Sequence, residues 1–370
     1  MIRVLHIDTE RTWRGGEAQV LGLVRHLPSE SFLSIVAAPR KSPLLEKSVA
    51  SDLRVLPLTG VSEFSLRMVA HLLYGIRLYA VDLIHVHTSH GLIAADLSRR
   101  ILRKPIPIVC SRRTDFHLRT SFLGLSRLKY TRCADRILTV SDAIRNILIS
   151  DGICPERIET VYSGIDIASF PESPDRVSAR ESLGIRPGTR VIGMVGALAD
   201  HKDPLLFLEA ARRVSESMEN IVFMLVGAGR LWETLRAAHA RSGLGDRFRL
   251  TGFQTDVRRF LAAFDLFCMT SREEGLCTSI LDAMAMRLPV VATRAGGIPE
   301  AVQDGTTGLL ANIGDPESVA AHIRSLLSDP DRARHMGDAG RRRVETIFDI
   351  RQTAESTARA YDRLMEHVRS

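Results

Sequence analysis

The chain has 370 residues, 45% hydrophobic and 25% charged, with a formal net charge of +7. That balance fits a soluble globular protein of about two domains at ~150 residues each, and excludes a disordered, collagenous or coiled-coil chain. No stretch reaches the ~18 uninterrupted apolar residues of a membrane span.

Three expectations follow from the same composition. The first residues lack a long apolar region with a small-residue cleavage site, so a signal peptide is not expected. The five cysteines (Cys110, Cys133, Cys154, Cys268 and Cys277) form no CxxC pair, which argues against a disulfide framework and a structural zinc site. Reduced thiols and a cytoplasmic location are expected. The charge is uneven: residues 1–170 carry 23 Lys+Arg against 16 Asp+Glu, and residues 171–370 carry 27 of each. The basic half fits an anionic partner, such as a membrane surface or a phosphorylated acceptor; a solvated basic face is the bland alternative. Aromatic residues are not interleaved with the basic ones and no nucleic-acid motif occurs, so nucleic acid is not an expected partner.

In chain order, residues 2–8 predict a strand and 15–27 a helix. Further strands are predicted at 33–39, 52–58, 82–88, 105–111 and 135–141, with helical patterns between many of them. Residues 169–190 are rich in Pro, Ser and charge, and read as a connector holding one short helix. A second alternating series follows, with strands at 189–198, 220–229, 248–253, 265–271, 288–296 and 307–313. Helices are predicted at 203–217, 230–240, 316–328, 330–346 and 350–368. Strand–helix alternation in two halves predicts an α/β protein with two doubly wound parallel sheets facing a cleft.

Residues 271–302, SREEGLCTSILDAMAMRLPVVATRAGGIPEAV, resemble the C-terminal signature of the family 4 (group 1) glycosyltransferases, retaining nucleotide-sugar enzymes of the GT-B fold. The family pattern runs Glu-Gly-Phe-Gly, four residues, Glu-Ala-Met-Ala, an apolar strand and a Gly-Gly turn. Four other segments resemble family motifs in the right order: WRGGEAQV (13–20), VYSGIDIASF (161–170), VGALADHKDP (195–204) and LVGAGRLWETL (225–235). The resemblance implies a GT-B fold of two Rossmann-like domains: an acceptor-side domain at 1–170, a donor domain at 171–345, and a final helix at 346–370 crossing back to the first.

The resemblance also implies roles. Glu274 would hydrogen-bond the transferred sugar, and Asp282, where the family carries Glu, would meet the ribose hydroxyls. Gly275, Leu276, Cys277, Thr278 and Ser279 lead into a helix predicted near 279, whose free N–H groups suit a diphosphate. Lys202 matches the family lysine that neutralises that diphosphate; a fixed cation there lowers the barrier as leaving-group charge develops. The family often places Gly-Arg-Leu before this lysine, whereas this chain has Gly196-Ala197-Leu198. His201, Arg294 or another basic residue would have to replace the missing cation.

In the first half, Gly15-Gly16 precedes a helix and, by resemblance, lies near the donor phosphate or the acceptor; a simple turn into the helix is the alternative. Counting from Pro107, Arg112 falls where the family often places a histidine near the transferred sugar. Arg112 or Arg113 is expected to face the cleft, with His117 five residues beyond Arg112. The expected activity is metal-independent glycosyl transfer to a glycan or lipid-linked acceptor in cell-surface polysaccharide or lipopolysaccharide assembly, with the leaving phosphate as base. No cofactor is expected. A non-catalytic nucleotide-sugar-binding protein and a GT-B-like epimerase are the competing readings.

Other motifs carry less. His85 and His87 share one strand face but lack an evident carboxylate partner for a metal. Asp329-Pro330-Asp331 has the spacing of metal-dependent transferases, but suits a helix start. VGAGR (226–230) lacks a full GxGxxG. Asp142 reads as a helix start. The stretches 98–104 and 116–132 are basic and apolar by turns, compatible with a membrane surface or with helices packed on a core.

Overall fold

The computed structural model describes residues 1–62, 65–118 and 125–369. They form two units, Met1–Gly164 with Asp349–Ser370, and Ile165–Phe348. The chain thus leaves the first unit at 165 and returns at 349.

The first unit is a parallel sheet of seven strands: β1 (Ile2–Ile7), β2 (Phe32–Pro39), β3 (Arg54–Leu58), β4 (Leu83–Val86), β5 (Ile108–Arg112), β6 (Arg136–Thr139) and β7 (Ile158–Thr160). Their order is β3-β2-β1-β4-β5-β6-β7. The inner strands are apolar on both faces because helices cover both: every residue of β4 is buried, as are Val4–Ile7 of β1. β7, three residues at the sheet edge, is absent from the sequence reading. The final helix, Ile350–Arg369, belongs to this unit. Ala354, Ala358, Tyr361 and Leu364 recur at helical spacing and pack on Val4, Leu23, Leu27 and Phe32.

Gly164 sits where the outgoing chain passes the start of that helix. A Cβ there would lie 2.6 Å from Thr353 Oγ1 and 2.7 Å from Asp349 O. The Gln19 amide fixes the same residue from the other side, donating to Gly164 O at 2.6 Å and accepting from Gly164 N at 3.2 Å.

The second unit has six parallel strands: β8 (Arg190–Val195), β9 (Ile221–Val226), β10 (Phe248–Leu250), β11 (Leu266–Met269), β12 (Val290–Thr293) and β13 (Gly308–Ala311). The order is β10-β9-β8-β11-β12-β13. In both units the chain winds outward one way from the first strand and then the other way. The switch points lie between β1 and β4 and between β8 and β11, where open α/β sheets bind ligands beyond the carboxyl ends of the strands.

Candidate functional site

Two loops meet at the switch point of the second unit. After β8 the chain runs through Gly196–Ala199 into a 3-10 turn, Asp200–Lys202. After β11 it runs from Thr270 to Cys277 and into the helix Thr278–Ala285. The loops are stitched together: His201 O accepts from Arg272 N at 2.7 Å, Thr270 Oγ1 donates to Asp203 O at 2.9 Å, and Arg272 Nε donates to Asp203 Oδ2 at 2.6 Å. Asp203 takes a left-handed backbone (φ 44°) and caps the helix Pro204–Ser215 through Leu206 N. The glycines of VGAGR set this loop in place by close approach. A Cβ on Gly227 would stand 1.9 Å from Gly196 O, and one on Gly229 would stand 2.5 Å from Leu198 O.

This stitching brings the Lys202 ammonium onto the Glu274 carboxylate, with both side chains mostly buried. Burial works against the Lys202 charge, but the neighbouring Cys277 and Glu274 outweigh it and raise the pKa. Burial pushes the Cys277 thiol itself up to about 11, so at neutral pH the anion that holds Lys202 is Glu274. Ser271 Oγ donates to Glu274 Oε2 at 3.3 Å, and Glu274 O accepts from Gly297 N, in the Gly-Gly turn, at 3.0 Å.

Cys277 stands at φ 69° immediately before the helix, in the place where the family signature has glycine. Its Sγ is 3.8 Å from Lys202 Nζ and 3.4 Å from Ser279 Oγ. Gly275 and Leu276 are buried beneath this turn, while Thr278 and Ser279 stand half-buried at the helix start, one residue earlier than predicted. First-turn N–H groups have no intrahelical partner and favour an anion. Asp282, one turn further, is half-buried and has no hydrogen bond to a described residue; burial raises its carboxyl to about 7. His201 is exposed, and Arg294, the other stand-in for the missing cation, is paired with Asp304.

At the switch point of the first unit, β1 and β4 pair in register, placing His6 opposite His85. His6, His85 and His87 lie on one face, with ring nitrogens within 4.8 Å of one another. That spacing would admit a metal ion, but every nitrogen except His6 Nε2 has a protein partner. His85 meets Tyr361 Oη at 2.5 Å and Ser111 Oγ at 2.8 Å; His87 Nε2 meets His6 Nδ1 at 3.1 Å; Arg113 Nη2 meets His87 Nδ1 at 3.3 Å. Arginine only donates, which assigns the His87 proton to Nε2. His87 then donates to His6, whose own proton falls on the buried, unpartnered Nε2. A metal on His87 Nε2 would need the opposite tautomer, with an N–H turned at Arg113. The arrangement favours neutral imidazoles. Burial lowers His6 to about 3, and lowers His85 and His87 well below the usual range with help from neighbouring charges, Arg113 among them.

Arg112 corrects an expectation. Its guanidinium is buried, donating to Tyr130 Oη at 3.1 Å and Phe116 O at 2.8 Å and lying over the Phe116 ring. Arg113, the first residue after β5, is the one that reaches the switch point. It donates to Gly16 O at 3.0 Å and lies in the field of Asp8 and Glu17. Gly15 and Gly16 open the helix Gly15–His26, neither at positive φ. His117 is held away from this cluster by Asp151 at 2.9 Å. Sequence reasoning missed His6, Asp8 and Glu17; only the β1–β4 register and the packing of the glycine loop gather them.

The minor motifs have structural places. Asp329 caps the helix Pro330–Ile347 and Asp331 pairs with Arg334. Asp142 opens the helix Asp142–Ser150 after its cap, Ser141. In the stretch 98–104, Arg99 and Arg100 are tied to Asp96, with Arg99 also on Asp135, while Ile101 is exposed. Residues 119–124, within the stretch 116–132, lie outside the described residues. Among those described, no helix is long and apolar enough to cross a membrane.

Carboxylates and cations gather at the switch points of two parallel sheets, the place where open α/β sheets bind ligands. Comparison with known proteins makes the class specific. The family model described as Glycosyltransferase Family 4 matches residues 13–169, and that described as Glycosyl transferases group 1 matches residues 189–329. Together they cover most of the chain, which belongs to this family of glycosyltransferases.

A D-inositol 3-phosphate glycosyltransferase of Segniliparus rotundus is 32% identical over 50% of this chain and 42% of its own. D-inositol 3-phosphate glycosyltransferase 2 of Catenulispora acidiphila is 33% identical over 64% of this chain and 58% of its own. The chain thus matches about half the length of these relatives. Among solved structures, Anabaena Alr3699/HepE in complex with UDP and glucose is similar with a TM-score of 0.87, at 22% identity, over 98% of this chain and all of that one. The fold is GT-B.

Proposed function

We propose that this chain transfers a glycosyl group from a nucleotide-sugar donor, held by the second unit, to an acceptor hydroxyl received by the first. The observation that carries this reading is the Lys202–Glu274 pair beside the open start of the helix Thr278–Ala285, with the unpartnered Asp282 carboxyl one turn away. A diphosphate needs a cation and free N–H groups. Lys202, freed from Glu274, supplies the first, and the backbone after Cys277 supplies the second. Glu274, released in the same exchange, accepts hydroxyls of the sugar, and Asp282 accepts those of the ribose.

The reaction proceeds with retention. The C1–phosphate bond breaks, the bond from C1 to the acceptor oxygen forms on the same face, and the acceptor proton passes to the departing phosphate. Lys202 and the helix start stabilise the charge on that phosphate, so EDTA leaves turnover unchanged. The acceptor is a glycan or lipid-linked glycan of cell-surface assembly, met at the inner membrane face. The UDP complex of the Anabaena protein and the family match support a nucleotide-sugar donor.

The test is a thermal-shift panel of UDP-, GDP- and ADP-sugars on the wild type and on the double variant Lys202→Met/Glu274→Gln, which removes both buried charges together. One nucleotide class is expected to stabilise the wild type by ~2.7 kcal/mol at a hundredfold excess over its dissociation constant, and not the variant. No stabilisation by any donor would overturn the reading. Binding without release of nucleoside diphosphate in the presence of acceptor would favour a non-catalytic binding protein.

A further inference from the structure

We propose that the second unit holds a second ligand site, at the amino ends of its strands, and that this site takes a phosphate monoester with a small apolar body. It lies at the opposite end of the strands from the Lys202–Glu274 pair and does not depend on the glycosyl-transfer reading.

A cavity of about 290 Å³ opens there, close to the lower bound of small-molecule sites, ~300 Å³. Arg190 opens β8, Asp265 stands just before β11 and Pro289 just before β12, and all three line the cavity. Leu261, Met286, Leu288 and Leu326 are buried and give it an apolar wall. Ala333 and Arg334, on the helix Pro330–Ile347, line it as well. Every lining residue belongs to the second unit.

The charge around it is unbalanced. Asp265 Oδ2 accepts from Arg180 Nη2 at 2.6 Å and from Val191 N at 2.7 Å, and Oδ1 is ion-paired with Arg176. Arg190 Nη1 stops 3.8 Å from the same carboxylate, beyond hydrogen-bond length, and its guanidinium has no hydrogen-bond partner among the described residues. Three guanidiniums thus face one carboxylate, a surplus of two positive charges. Arg287 and Arg334, also on the cavity, are already paired with Asp338 and Asp331. Arg176 and Arg180 satisfy Asp265 between them, so Arg190 brings the fold like-charge repulsion and no hydrogen bond. An anionic ligand relieves that repulsion. A phosphate monoester carries ~1.5 to 2 negative charges at neutral pH and accepts from forked guanidiniums, which matches the surplus. A single carboxylate would leave one cation over. The apolar wall selects an ester with a hydrocarbon body over bare phosphate.

Ligand-observed NMR on the full chain tests this, with hexyl phosphate, inorganic phosphate and 1-hexanol as probes. Hexyl phosphate is expected to bind more tightly than either of the others. Arg190→Gln, which breaks no hydrogen bond of the fold, should weaken it by about tenfold, the scale of a lost charged hydrogen bond. Ala333→Leu, which narrows the cavity and keeps every arginine, should weaken hexyl phosphate more than inorganic phosphate. Near-UV circular dichroism verifies that both variants are folded. The double variant Lys202→Met/Glu274→Gln should bind hexyl phosphate as the wild type does, which separates this site from the donor site. No binding of hexyl phosphate, equal binding of phosphate or hexanol, binding indifferent to both cavity variants, or binding lost in the double variant would overturn the proposal. Cosedimentation with phosphatidylcholine vesicles, with and without phosphatidic acid, tells the source of the ester. Phosphatidic acid-dependent binding that hexyl phosphate displaces and Arg190→Gln abolishes assigns it to a lipid headgroup; hexyl phosphate binding without such sedimentation assigns it to a soluble ester.

Discussion

Lys202 and Glu274, 72 residues apart in sequence, are ion-paired in a largely buried site between the loops that follow β8 and β11. Each charge compensates the desolvation of the other, and each is a group that a nucleotide sugar would claim for itself. The pair holds the two loops together, and under the proposed function it exchanges partners when a donor binds.

Removing one member should cost more than removing both. Lys202→Met or Glu274→Gln leaves a buried charge without its partner and is expected to cost about 3–5 kcal/mol, whereas the double variant should lie much closer to the wild type. Urea unfolding of the four proteins checks this; a strictly additive cycle would contradict it.

Asp282 should make stability fall as pH rises. Its carboxyl is raised to about 7 in the folded chain from an ordinary value of 3.8. The folded state therefore holds a proton that the unfolded state has released, and stability declines between about pH 4 and pH 7. Asp282→Asn should remove that decline, a relative gain on the order of 1 kcal/mol at pH 8 after solvent screening. If Asp282 meets the ribose, the same variant binds the donor more weakly.

The histidine cluster predicts an NMR signature. His6, His85 and His87 should stay neutral through pH 5, with His87 as the Nε2–H tautomer. Protonation is penalised in the folded chain, so they add stability that is lost as pH falls below about 6.5. Nitrogen-15 imidazole spectra report both points. Arg113→Ala should release the His87 tautomer, and an unchanged spectrum would count against the assignment.

Cysteine labelling should follow burial. Cys154 is exposed, Cys133 half-buried and pushed up to about 11, and Cys110, Cys268 and Cys277 are buried. Iodoacetamide at pH 8 should modify Cys154 first and Cys277 only on unfolding, as mass spectrometry of timed samples will show.

Gly164→Ala should destabilise the first unit by ~1–3 kcal/mol, because its Cβ would press on the Asp349 carbonyl and Thr353. Thr353→Ser leaves the backbone contact in place and should not rescue it in thermal unfolding.

Much of the second unit's site was legible because its parts lie together in sequence. Glu274, the turn through Cys277 and Asp282 occupy nine consecutive positions, so one loop and one helical turn suffice to gather them. The strands of both sheets were legible as well, apart from the three-residue edge strand β7. Arg112 and Arg113 were not separable, since neighbouring residues with the same side chain differ only in the face they take. The VGAGR glycines read as a weak nucleotide motif, and their contact with the backbone of Gly196 and Leu198 is a matter of two loops meeting.

Alternation determined the fold class, and the resemblance of residues 271–302 and four other segments to family motifs pointed to the family and to a candidate site on the second unit, because those properties depend on residues close in the chain. Tertiary structure alone decided the rest. The register of β1 on β4 placed His6 beside His85, and the packing of the glycine loop put Asp8 and Glu17 around Arg113. The meeting of two loops paired Lys202 with Glu274. In each case the partners lie on different strands or loops, and only sheet pairing and packing fix the distance between them.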